Sequence, residues 1–378
     1  MKEIYLDNAA TTKVSDEVIR EMQPYFIEKY ANPSSKYPAG IKAKEAVERA
    51  RKIIAQKINA KPNEIIFTSG GTESNNLALK GLFFANFPSK NHIITTKIEH
   101  DSVFNVCKWL EKQGAKATYL NVDREGFVDI KDIERAITPK TFLVSIIHGN
   151  NEIGTIQDIE TIEKLCRSKG ILFHIDACQS FTKVPINVNK QNLDLITLNS
   201  HKIHGPKGVG ALYVKEGTKI IPLLHGGGQQ RNMRSGTENV PGIIGFAKAV
   251  ELVEQKDIDN MKKLRGMLIN NLLKIPDVKL NGPLNNRLCN NINISIKGID
   301  GETLLSYLEN EGIYCSAGSA CMSNASKKSH VLKAIGLNNK EIESSLRISL
   351  SRYNTEKEID FFFGKIREIV RKLRRLKS

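Results

Sequence analysis

The sequence predicts an α/β protein: a large domain around a mostly parallel sheet, followed by a smaller α+β domain. Three observations carry this. Short apolar runs alternate with helical patterns between residues 60 and 250. Polar and glycine-containing clusters follow several of those runs. Beyond Pro276 the rhythm changes to isolated strand patterns with helices between them. The chain has 378 residues, 40% of them hydrophobic, enough for a sizeable core and, at roughly 100–200 residues per domain, for two domains.

Taken in order, EIIFTS precedes the helical pattern TESNNLALKGLFF, and HIITT precedes HDSVFNVCKWLEKQG. KATYLNV, TFLVSII, ILFHIDA and DLITLNS are further strands, and IETIEKLCRSKG is a helix closed by Gly170. After Pro241 one long helical pattern, IIGFAKAVELVEQKDIDNMKKLRGMLINNLLKI, is expected to join the two domains. NNINISI and IYCS then read as strands and GETLLSYLENEG as a helix, while EIESSLRISLS begins helical and ends extended. The last helix places Ile359, Phe362, Phe363, Ile366, Ile369, Val370 and Leu373 on one face.

Composition narrows the function classes. No run approaches the roughly 18 apolar residues of a membrane span. MKEIYLDNAATT has no apolar stretch of a secretory signal, so a soluble cytoplasmic protein is expected. The six cysteines form no CxxC pair and no zinc-type cluster, so free thiols and no metal are expected. Much of the +15 formal charge is local: KIREIVRKLRRLKS carries seven Lys or Arg against one Glu. A solvated basic face accounts for it, docking of an acidic partner being the other reading. A basic balance specifies no nucleic-acid motif, so no direct nucleic-acid binding is expected.

Three constellations carry chemistry. Thr68-Ser69-Gly70-Gly71-Thr72 lies between a strand and a helix. Its glycines let backbone approach a ligand, and a helix N-terminus offers N–H groups to a phosphate, though a plain capped turn fits too. Asp176 ends ILFHIDA, at the end of a strand where α/β proteins place ligand contacts. Lys202 follows DLITLNS just past the next strand. A lysine for an aldehyde, an aspartate for a pyridine nitrogen and a phosphate cradle together suit pyridoxal phosphate. His100, Asn150, Asn151, Arg231, Arg234 and Thr237 add polar candidates, and Arg347 and Arg352 are two candidate clamps for a carboxylate.

LDNAATT, FTSGGTESNNLA, EHDSV, NNEIG, DACQS, SHKIHGPKG, MRSGTEN, SAGSAC and SRYNTEKEID stand in the order seen in the cysteine desulfurases of the IscS/NifS type, which the chain resembles over almost its whole length. The short SAGSAC loop is similar to the first group of that family. The resemblance implies a fold type I pyridoxal-phosphate enzyme with a seven-stranded sheet. Its large domain would span residues 14–255 and its small domain 1–13 with 256–378. It implies conversion of L-cysteine to L-alanine, with the sulfur passed as a persulfide to an acceptor protein for iron–sulfur cluster assembly or tRNA thiolation. Lys202 would be the Schiff-base lysine, Asp176 the partner of the ring nitrogen, and Gln179 that of the ring oxygen. His100 would stack on the ring and serve as acid or base. Gly71, Thr72, Ser200 and His201 would hold the phosphate, and Thr237 would reach it from the other subunit of a homodimer. Asn151 would contact cofactor and substrate, Arg352 would bind the substrate carboxylate, and Cys321 would accept the sulfur. A selenocysteine lyase, an aminotransferase or a non-enzymatic scaffold are the alternatives.

Two departures stand out. Family members usually carry Ser at position 199 and a small residue at 200, where this chain has Asn199 and Ser200. A second thiol, Cys315, flanks the loop, either as part of a strand or as a resolving thiol for the persulfide.

Overall fold

The computed structural model describes residues 3–317 and 328–376. The chain opens on a short strand, β1 (Ile4–Tyr5). Seven strands then make one sheet: β2 (Ile65–Thr68), β3 (His92–Thr96), β4 (Lys116–Leu120), β5 (Thr141–Ile147), β6 (Leu172–Asp176), β7 (Leu195–Asn199) and β8 (Gly210–Val214). Their order is β2-β8-β7-β6-β5-β3-β4. The run from β7 to β4 is parallel, and β8 is antiparallel to both neighbours.

Helices cover both faces of this sheet, which is why a strand such as TFLVSII is apolar almost throughout and fully buried. On one face Ile54, Phe173, Ile175 and Phe246 share a core. On the other, Leu77, Phe83, Val103, Leu143 and Leu212 share another. β8 is the strand that apolar runs did not reveal. It starts at Gly210, where a Cβ would lie 2.7 Å from Gly70 Cα, so the position needs glycine, a residue that weakens a strand pattern.

The long helical pattern after Pro241 divides into helices Val240–Glu251 and Gln255–Leu272. Glu254 and Asp257 form a reciprocal cap at the second start, and the Leu252 carbonyl accepts from Arg352 Nη1 at 2.7 Å. Capping chemistry interrupts a run that periodicity alone makes continuous.

Four further strands, β9 (Val278–Leu280), β10 (Asn291–Ile296), β12 (Ser316–Ala317) and β13 (Ser345–Ser349), form an antiparallel sheet in the order β12-β13-β10-β9. β11 (Ile313–Tyr314) pairs instead with β1, in parallel. IYCS is therefore two strands in two sheets, with Cys315 at the junction. Ile4, Leu6, Ile294, Leu346, Ile348 and Phe362 belong to one core, which the helix Glu356–Arg375 closes. Because Leu346, Ile348 and Leu350 face that core, Ser345, Arg347 and Ser349 take the opposite face. Among the described residues no helix is long and apolar enough to cross a membrane.

Candidate functional site

A cavity of about 770 Å³ opens beyond the carboxyl ends of β5, β6 and β7, the end at which open parallel sheets hold ligands. Asp176, the last residue of β6, lines it and is 3% exposed. Its Oδ1 accepts from the Cys178 N–H at 2.9 Å and its Oδ2 from Asn75 Nδ2 at 2.8 Å. The Asn75 amide also donates to Ser102 Oγ at 2.7 Å, and the Ser102 N–H donates to His100 Nδ1 at 3.1 Å. That last bond places the proton of a neutral His100 ring on Nε2. A buried chain thus runs from the lining imidazole to the lining carboxylate. Asn75 and Ser102 are members of this chain that the motifs did not point to. Asn75 lies one helical turn beyond Gly71, on the same face, and that spacing was the available signal.

Gly71 begins the helix Gly71–Asn86, and it lines the cavity with Thr72. A Cβ at Gly71 would meet Cys178 Sγ at 2.5 Å, so a larger residue there would have to push that thiol aside. Asn199, the last residue of β7, also lines the cavity, its Nδ2 lying 3.7 Å from the same point. Ser200 does not line it. Its hydroxyl lies 2.0 Å from where a Gly205 Cβ would be, on the other side of the chain, because side chains alternate where the strand ends. The expectation for Ser200 is corrected: the side chain that faces the cradle is Asn199.

Lys202 and His201 follow on the same loop and line the cavity. Lys202 Nζ donates to the carbonyls of Ala9 and Ala10, and Gln179 Nε2 also donates to Ala9 O, at 2.9 Å. His201 Nδ1 lies 3.2 Å from Thr11 Oγ1, and burial, then the Lys202 charge, pushes its imidazole down to about 4. It is a neutral hydrogen-bonding group at neutral pH. The segment 7–12 is laced across the site, since the Thr12 N–H donates to His201 O at 3.0 Å and the Ala9 N–H to Ser349 Oγ at 2.8 Å.

The two arginines separate. Arg347, 1% exposed, lines the cavity, with Nη2 at 2.8 Å from Asp7 Oδ1 and Nη1 at 3.4 Å from Asn151 O. Its Nε has no hydrogen-bond partner among the described residues. Arg352 is not brought to this cavity: it lies past the end of β13, bonded to Leu252 O, and lines a different one. The expectation for Arg352 is corrected by strand alternation, which turns Arg347 inward. Asn151 lines the site, whereas Asn150 is buried in its own turn, its Oδ1 accepting from the Glu152 and Ile153 N–H groups. Arg234 is held by Glu73 at 2.9 Å and Arg231 lies 3.8 Å from Glu48, so neither lines the cavity. Thr237 is exposed and away from the chain's own cavity.

Cys321 lies outside the described residues. Cys315 packs against the smaller core, and burial, then the nearby Asp7, pushes its thiol well above the usual range. It is a poor nucleophile, which favours the strand role over the resolving one. Beneath the site, Glu99 is fully buried, accepting from Thr96 Oγ1 at 2.6 Å and from the Ile147 N–H at 3.0 Å. Burial pushes its carboxyl up to about 8, so it is largely neutral at pH 7.

The family model for class-V aminotransferases matches residues 4–362. A protein named cysteine desulfurase IscS from Clostridium botulinum is 49% identical over 381 residues, covering 99% of this chain and 96% of that one. A solved structure described as a NifS-like protein superposes with a TM-score of 0.92 at 40% identity, covering 98% of this chain and 99% of the other. Another, described as SspA in complex with cysteine, has a TM-score of 0.84 at 38% identity, covering 94% of this chain and 100% of the other.

Proposed function

The chain belongs to the class-V aminotransferase family, as one of its cysteine desulfurases, and from that premise we propose how its residues divide the conversion of L-cysteine to L-alanine. Pyridoxal 5'-phosphate, when bound, supplies an aldehyde that takes an amine and a protonated ring that accepts electron density. The cavity suits it: a glycine cradle at a helix N-terminus, a buried carboxylate and an amine face one space.

Lys202 holds the cofactor and moves the proton at the substrate's Cα. Asp176, oriented by Asn75 and the Cys178 N–H, keeps a proton on the ring nitrogen. Gln179 and His100, which line the same cavity, would hold the ring, Gln179 through its oxygen and His100 by stacking. Gly71, Thr72, Asn199 and His201 hold the phosphate, with Thr237 from a second copy of the chain. Asn151 and Arg347 take the substrate's carboxylate. The Cys321 thiolate then accepts the sulfur. An S–S bond forms as the Cβ–S bond breaks, and the carbon skeleton takes a proton and leaves as alanine. The persulfide passes to an acceptor protein, for iron–sulfur assembly or tRNA thiolation.

The observation that carries this reading is Arg347. It is a buried guanidinium with an unpartnered Nε, lining the same cavity as Lys202 and Asp176. A homodimer acting in the cytoplasm is part of the proposal. Phe26, Ile27 and Tyr30 are 63%, 68% and 76% exposed on one short stretch, a surface suited to a second copy. The division into 14–255 and 1–13 with 256–378 is supported by the shared core of Ile4, Leu6 and residues beyond 256.

The test uses two variants of the purified protein. Lys202→Ala should lose both the visible absorbance of lysine-bound cofactor and alanine formation from cysteine. Cys321→Ser should keep the absorbance and form no sulfide. A fully active Cys321→Ser enzyme would sink the acceptor assignment.

A further inference from the structure

Lys202 also lines a second, much smaller cavity, together with Thr12, Ile203 and His204. Lys183 and Arg352 stand on its wall with Thr182, Asp257 and Asn290. Lys183 is half-buried, and its ammonium donates to two main-chain carbonyls, Gln179 O at 3.0 Å and Lys202 O at 3.2 Å. No carboxylate among the described residues pairs with it, and the thiols of Cys289 and Cys178, both pushed up by burial, carry no charge to offset it. An ammonium held partly out of water by carbonyls alone suits an anionic partner.

The wall is net cationic. Arg352 donates to Leu252 O at 2.7 Å and to Tyr353 Oη at 3.2 Å, and its one carboxylate ion-pair partner among the described residues, Asp257, lies 4.0 Å away. The Asp257 carboxylate is also engaged by the Glu254 N–H at the start of its own helix, at 3.3 Å. His204 stands on the same wall. Burial, then the charges of Arg352 and Lys183, pushes its imidazole down to about 4. Thr182 Oγ1 has no hydrogen-bond partner among the described residues. The amide oxygen of Asn290, likewise without one, suits a water beside a bound ion.

There is a way in. Thr182, Lys183 and Ile258 also line a larger surface groove, whose rim carries Lys57, Lys190 and Lys262 against Glu160 and Asp259. We propose that the cavity between Lys183 and Arg352 binds a small monovalent anion, drawn in through this basic groove. The ion pairs with the Lys183 ammonium and the Arg352 guanidinium and accepts from the Thr182 hydroxyl. It sits one hydrogen bond from the backbone of Lys202, through Lys183. This goes beyond the desulfurase reading and does not depend on it.

Bromide is the probe. Crystals of the full chain soaked in sodium bromide should show an anomalous peak within hydrogen-bonding distance of Lys183 Nζ and the Arg352 guanidinium. Lys183→Met should remove it, and Lys57→Met, at the rim, should not. If Lys183→Met does not fold, Arg352→Gln on the facing wall serves instead. No peak in the wild-type cavity, or a peak that survives loss of either cation, overturns the proposal.

Discussion

In the seven-stranded sheet the side chains that meet the cavity stand at or past strand ends. Asp176 closes β6, Asn199 closes β7, and Lys202 lies three residues further on. In the four-stranded sheet the side chain that meets it, Arg347, stands inside a strand. Loop residues are placed by turns and caps that local sequence spells out. An in-strand residue is placed by what its neighbours bury: Arg347 faces the cavity because Leu346 and Ile348 face a core. Shifting β13 by one residue would turn the arginine into that core.

The largest effect that tests this contrast is Arg347→Lys beside Arg352→Lys. A bidentate carboxylate contact is lost with the planar fork, so Arg347→Lys should lower kcat/KM for cysteine by roughly 10–100-fold, mostly through KM. Arg352→Lys should stay within about twofold, since Arg352 does not line the site. Steady-state kinetics decide it. If Arg352→Lys is the more damaged enzyme, the strand-face assignment is wrong.

Glu99 tests the other sheet, where it ties the end of β3 to β5 through the Ile147 N–H. Its folded value is raised from 4.5 to about 8, so between those pH values the folded protein binds more protons than the unfolded chain. The stabilising contribution is full below 4.5 and is lost as pH rises through about 8. Glu99→Gln should flatten the fall in stability over that window, an effect of the order of a few kcal/mol in denaturant titrations. An unchanged pH slope would mean that Glu99 is ionised in the folded protein.

The smallest effect is expected at Cys315. Its thiol is packed against the small core with its ionisation suppressed, so Cys315→Ala should leave the lifetime of a persulfide on Cys321 unchanged, read by mass spectrometry over time. A longer lifetime in the variant would restore the resolving role.

Much of this was legible in the sequence. Six strands of the large sheet stand out as apolar runs, and Asp176, Gly71 and Lys202 follow from what stands at the ends of three of them. What escaped was parity and capping. SLRISLS alternates, so the face of Arg347 was readable, but SRYNTEKEID drew attention to Arg352 instead. Asn199 and Ser200 differ in the same way: Thr197 and Asn199 share the face that meets Gly71, and Ser200 takes the other. The break at Leu252–Glu254 depends on a reciprocal cap and on a contact from residue 352, which no local window contains.

The lacing of residues 7–12 across the cavity has a consequence for biosynthesis. Ala9 and Ser349 are joined across 340 positions of sequence, and the Ala9 and Ala10 carbonyls receive the amine of Lys202. During synthesis residues 7–12 must wait for residue 349 before this partner exists, a long-range closure of the kind that forms slowly. The seven-stranded sheet has all its strands once residue 214 is made. The cavity therefore stays unfinished until β13 is made, and a nascent chain stalled before that strand carries the lysine without a finished site around it.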